Sequence, residues 1–167
     1  MPELVSKEVE LLGEPGLLAL AAWDMRQTAA AAKLLQAVRD DILAVRALET
    51  AIAVCYWRPF NKSNNTGTLR DRWRPRDEEG RRIHALLKRL RNELYAHTDP
   101  PGGRRPTVTM FVDTAGRVAN FAVGETWHIH LVPDDFPSII KTCEEQAERF
   151  KKAAFEGARS LVPSNVS

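Results

Sequence analysis

Cysteine is scarce in this chain. Only Cys55 and Cys143 occur among 167 residues, too few for the disulfide framework that small secreted domains use in place of a large core. They lack metal-ligand spacing, and each falls on an apolar stripe of an expected helix, so two buried, reduced thiols are expected. Long hydrophobic runs are missing too. The longest charge-free stretch, Pro15 to Trp23, covers nine residues, about half of what a membrane-spanning helix needs. Glu3, Lys7, Glu8 and Glu10 stand where a secretion signal would have an apolar core. A cytoplasmic protein without membrane contact is the expectation. Glycine and proline are absent from Leu17 to Arg58, which leaves some forty residues with nothing to break a helix except their own polar groups.

Hydrophobic residues make up 44% and charged residues 28%, the balance of an ordinary globular chain and not of a disordered or collagen-like one. The length suits a single domain over residues 1–167. Residues 3–12 read as a short helix stopped by Gly13, Pro15 and Gly16. Beyond it, Leu35, Val38, Ile42, Val45, Leu48, Ile52 and Cys55 recur at spacings of three and four, as on an amphipathic helix. A break before this stripe, or near Asp40-Asp41, is expected and would give two helices. A further helix is expected over about 78–98, with Ile83, Leu87, Leu90 and Leu94 as its buried stripe. The period then shortens to two: 107–113 and 117–124 read as a β-hairpin, with 125–131 as a candidate third strand. A last helix, about 135–157, buries Ile139, Ile140, Cys143, Ala147, Phe150 and Ala154. The fold class is mainly α: a helical bundle carrying a small antiparallel hairpin or three-stranded sheet before the C-terminal helix.

Net charge is only +2, but it is unevenly spread. Residues 70–91 hold eight Arg and one Lys against four acids, a local balance of +5, so the rest of the chain sums to −3. One basic segment on a mildly acidic chain points to an anionic partner bound at one place. On the 78–98 helix, His84, Lys88, Arg91 and Tyr95 share a strip beside the apolar stripe. The strip combines two cations, an imidazole and a phenol, suited to a phosphodiester and a stacked base. Near the helix C-terminus, the dipole favours the charged form of His97. Such groups fit RNA cleavage by the RNA's own 2′-hydroxyl. One group takes the hydroxyl proton, another protonates the leaving 5′-oxygen, and an Arg stabilises charge on the phosphorus oxygens. The second proton-transfer group is either His84 or the His97 of a second subunit. No metal or other cofactor is required.

The stretch RNELYAHTD at 91–99 carries Arg91-Asn92, four residues, then His97. This resembles the signature of the HEPN superfamily, and its wording is similar to that of abortive-infection-type members. The resemblance implies an all-helical nucleic-acid-binding domain acting as a metal-independent endoribonuclease in toxin–antitoxin or antiviral systems. It also implies a homodimer whose Arg91, Asn92 and His97 meet in a composite cleft, with RNA as substrate and an antitoxin protein as a further partner. In some such toxins a Tyr stands two residues after the motif His; here that position is Asp99. The hairpin lies outside the helical core of that family. A non-catalytic RNA- or nucleotide-binding module using the same helix is the alternative.

Two further features stand apart from the motif. In RDRWRPR at 70–76, Arg72 and Arg74 suit phosphates while Trp73 either stacks on a base or tucks against the bundle. His128 and His130 share a strand face, but no Cys or Glu stands at a spacing that would complete a metal site. They read as the exposed face of a hairpin.

Overall fold

Two aspartates divide the long Gly- and Pro-free stretch. Helix α1 (Gly13–Ala37) and helix α2 (Ile42–Trp57) are separated at Asp40-Asp41. The Asp41 carboxylate accepts the N–H groups of Leu43 and Ala44 at 3.0 and 3.1 Å, satisfying donors that the first turn of α2 leaves open. The computed structural model describes residues 13–38, 40–61, 68–92, 105–114, 116–126 and 131–160. Those residues form a mainly helical bundle. Helix α1 starts four residues before Leu17. Gly13 (φ +69°) opens it, and Pro15 sits in the first turn, where a missing N–H matters little. The helix expected over 3–12 lies outside the described residues.

Helix α4 (Asp135–Arg159) runs antiparallel along α1. Lys33 pairs with Glu144 at 2.6 Å, Arg26 with Glu148 at 3.1 Å, and Gly157 lies against Pro15. These exposed ion pairs contribute little, typically under about 1 kcal/mol each. The apolar faces between them dominate: Leu18, Met25, Ala29 and Ala32 meet Ile139, Cys143, Ala147 and Phe150, all buried. Each large side chain so buried contributes roughly 1.5–3 kcal/mol. The alanines let the helices approach closely. At Gly157 a Cβ would come within 2.7 Å of the Pro15 ring, so only glycine fits there.

Helix α2 buries the middle of its expected stripe, Val45 and Ile52, but is rotated so that the ends of the stripe give way to other residues. Val45, Ile52, Ala53, Tyr56 and Trp57 are buried, whereas Ile42 is half exposed and Cys55 only partly covered. The Cys55 thiol faces the Gln27 side-chain oxygen at 3.7 Å. The bulk of Tyr56 and Trp57 decides this rotation, because two aromatic rings offer more apolar area than Cys55 and Ile42 do. Of the two thiols, only Cys143 is fully buried. Glu49 is buried as well, and its carboxylate accepts the Leu131 N–H at 2.8 Å, tying the chain that enters α4 back to α2.

Strands β1 (Arg105–Val112) and β2 (Val118–Thr126) pair antiparallel, with Val108 opposite Val123 and a register shift at Phe111/Val112. Glu125 and Thr126, expected in a third strand, continue β2. Residues 127–130, with His128 and His130, lie outside the described residues. Helix α3 (Glu78–Leu90) is capped by Asp77, which accepts the Gly80 N–H at 2.8 Å. It buries Ile83, Leu87 and Leu90, the stripe its spacing predicts. Arg82 bridges α3 to the start of α4 through Asp135 at 2.9 Å. Among the described residues no helix is long and apolar enough to cross a membrane.

Candidate functional site

Arg91 and Asn92 follow directly on α3, in a wider π-type turn, a local geometry that recurs at functional sites. The Arg91 N–H still closes onto the Leu87 and Lys88 carbonyls, so its backbone is held by the helix. Both side chains are partly buried. The Asn92 side-chain oxygen accepts from the Arg91 guanidinium at 2.9 Å. A guanidinium steered by a neutral amide keeps its full charge for an anion, which a carboxylate partner would cancel. One turn back, Lys88 is exposed, its ammonium 5.8 Å from the centre of the Trp57 ring. Arg81 and Arg89 are also exposed on α3. Tyr95 and His97 lie outside the described residues.

His84 departs from the expected strip. Its ring sits among Trp57, Phe60 and Tyr56, at centroid distances of 4.8, 5.0 and 5.7 Å, instead of facing solvent beside Lys88. Nδ1 lies 3.0 Å from the Tyr56 hydroxyl. Nε2 is buried and has no partner among the described residues. Burial, then the positive charges of Arg74 and Lys88, lower its pKa from 6.5 to about 4, and Asp71 only partly opposes them. This histidine is therefore neutral near pH 7, and no phosphate contact from it is supported.

A stability measurement follows from that shift. Below pH 6.5 the unfolded chain takes up a proton on His84 that the folded chain refuses until about pH 4. Stability is thus full above 6.5 and declines as the pH falls toward 4. Partial solvent access reduces the effect to about 1–2 kcal/mol. Denaturant unfolding at pH 7 and pH 4.5 is expected to show this extra loss in the wild type and not in His84→Gln. Equal losses in both proteins would mean the imidazole is solvated.

The segment 70–76 is pinned to the bundle. It forms a short 3₁₀ turn, Asp71–Trp73. The Trp73 indole N–H donates to Glu14 at 2.8 Å, and its ring meets Phe150 edge-on at 5.9 Å. Arg72 holds the same Glu14 carboxylate through two contacts, 2.6 and 2.8 Å. The Trp73 bond, followed by Arg72, keeps the Glu14 pKa below its ordinary value. Arg74 pairs with Asp71 at 2.9 Å. Of the two readings for Trp73, the structure places it against the bundle, and both Arg72 and Arg74 have internal anions.

The structure thus brings Arg91, Asn92 and Lys88 to one end of α3 and takes His84 inside. It also adds residues that the motif search passed over. Arg149 of α4 reaches the 70–76 segment and donates to the Arg72 and Arg74 carbonyls at 2.6 and 3.2 Å. Its position three residues after Gln146, on the flank of the α4 stripe, was the only available signal. Among the described residues no three His, Cys, Asp or Glu side chains gather as metal ligands. Compared with family models, with curated proteins and with solved structures, this chain matches none.

Proposed function

We propose that this protein is a metal-independent endoribonuclease of HEPN type, working as a homodimer in a toxin–antitoxin or abortive-infection setting, with an antitoxin protein as its regulator. The observation that carries the reading is the Arg91 side chain at the end of a basic helix, oriented by Asn92 at 2.9 Å and followed five residues later by His97. In the reaction the 2′-hydroxyl oxygen of RNA bonds to the adjacent phosphorus and the bond to the 5′-oxygen breaks, leaving a 2′,3′-cyclic phosphate. His97 exchanges a proton with one of those oxygens, and Arg91 stabilises the charge on the phosphorus oxygens. His84, enclosed and neutral, is poorly placed for the other proton, which favours the partner's His97 for that role.

The enclosure of His84 also favours a second reading, an RNA- or nucleotide-binding module. The exposed cations Arg81, Lys88 and Arg89 suffice for affinity without proton transfer. Incubating the purified protein with total and transfer RNA in excess EDTA decides between the two. Cleavage leaving 2′,3′-cyclic ends is expected; intact RNA with a folded, RNA-binding dimer supports the module instead.

A further inference from the structure

At the opposite end of α3 from Arg91, a groove of about 320 Å³ opens between the 75–77 segment and α4, lined by Arg76, Asp77, Thr142, Glu145, Gln146 and Arg149. We infer that this groove is a second anion site, built to hold a phosphate group between the Arg76 and Arg149 guanidinium groups.

Arg149 is held rigidly by neutral groups only. Its guanidinium donates to two backbone carbonyls and to the Gln146 side-chain oxygen at 3.3 Å, and it lies 5.1 Å from the centre of the Trp73 ring. No ion pair forms on it among the described residues, although it is half-buried. A guanidinium withdrawn from water without an anion is an unbalanced charge. Arg76 adds a second positive charge beside it. It is exposed, with no hydrogen bond or ion pair among the described residues, and it sits close enough to depress the Arg149 pKa after burial has done so. Two like charges facing one groove repel each other until an anion enters between them. The two acids of the lining have partners of their own: Asp77 accepts the Gly80 N–H as the cap of α3, and Glu145 faces Lys141 at 4.0 Å. Four arginines alternate along 70–76. Arg72 and Arg74 pair with Glu14 and Asp71; among the described residues neither Arg70 nor Arg76 forms a side-chain ion pair, and it is Arg76 that lines the groove beside Arg149. A phosphate with several acceptor oxygens matches two forked donors. Helix α3 separates this groove from Arg91 by roughly 20 Å, about six stacked nucleotides of one strand. A free phosphate and an RNA backbone offer the same chemistry.

The test titrates the full-length protein with inorganic phosphate and follows backbone amide resonances, against chloride at matched ionic strength. Saturable shifts centred on Thr142, Gln146 and Arg149 are expected. Arg76→Gln, which removes no internal contact, is expected to weaken them at least ~10-fold, and Arg149→Lys to weaken them while retaining the charge. No saturable shift beyond chloride, or an Arg76→Gln affinity within twofold of wild type, overturns the site. A 2′-O-methyl RNA strand of roughly twelve nucleotides separates the sources. Loss of both ligands in Arg76→Gln assigns the groove to an RNA backbone, and loss of phosphate alone assigns it to a free phosphate. Because no arm requires cleavage, the groove and the nuclease reading stand or fall separately.

Discussion

Arg91→Ala is expected to lower RNA cleavage by about 10²–10³-fold, the usual effect of removing a positioned donor from the charge that develops in the transition state. His97→Ala is expected to lower it by about 10²–10⁴-fold, as for loss of a proton-transfer group. The two differ in binding. Arg91 carries a full charge next to the neutral Asn92 amide, so its loss is expected to weaken RNA affinity as well as turnover. His97→Ala should bind RNA within about threefold of wild type, since catalysis depends on groups that act only in the transition state. Asn92→Ala leaves the guanidinium in place without its 2.9 Å guide and is expected to fall between the two. Single-turnover cleavage beside a binding titration reads all three variants. Full cleavage by a clean His97→Ala preparation would end the nuclease assignment.

Trp73→Ala is expected to destabilise the fold by about 3 kcal/mol, measured by denaturant unfolding with an unchanged slope. The indole ties its segment to two helices at once: its N–H reaches Glu14 at the start of α1, its ring meets Phe150 of α4 edge-on, and Arg149 of α4 packs over it. Truncation leaves a cavity beside Phe150 and removes one contact each from the Glu14 and Arg149 side chains. Trp73→Phe keeps the ring contact and loses the charge-assisted hydrogen bond, so a smaller loss of about 1–2 kcal/mol is expected. These values separate the two roles considered for this residue. A Trp73→Ala protein as stable as wild type, but deficient in RNA binding, would mean that the indole stacks on bases.

Much of the helical frame was legible in the residues themselves. Asp41 and Asp77 cap α2 and α3 because a short carboxylate can reach back to the first free N–H groups, a local effect needing no partner. The stripes Ile83–Leu87–Leu90 and Ile139–Cys143–Ala147–Phe150 became buried as spaced, since a 3.6-residue period places them on one face of their own helix. The juxtaposition of Arg91 and Asn92 was legible for the same reason, being one residue apart.

What the tertiary structure alone decided depends on what another element brings near. His84 shares a helical strip with Lys88, yet one is enclosed and the other exposed, because Tyr56, Trp57 and Phe60 together surround the imidazole whereas only Trp57 lies near the Lys88 ammonium. Ile42 and Cys55 lost the core to Tyr56 and Trp57 through competition for buried area that spacing does not measure. Arg72, Arg74 and Arg76 look alike along the chain, but Glu14, fifty-eight residues before Arg72, holds one, Asp71 holds the second, and the third has no ion pair among the described residues. Arg149 joins that segment across more than seventy residues. Periodicity states which way a side chain points from its own helix; the charge and the solvent it meets there are set by the neighbour that packs against it.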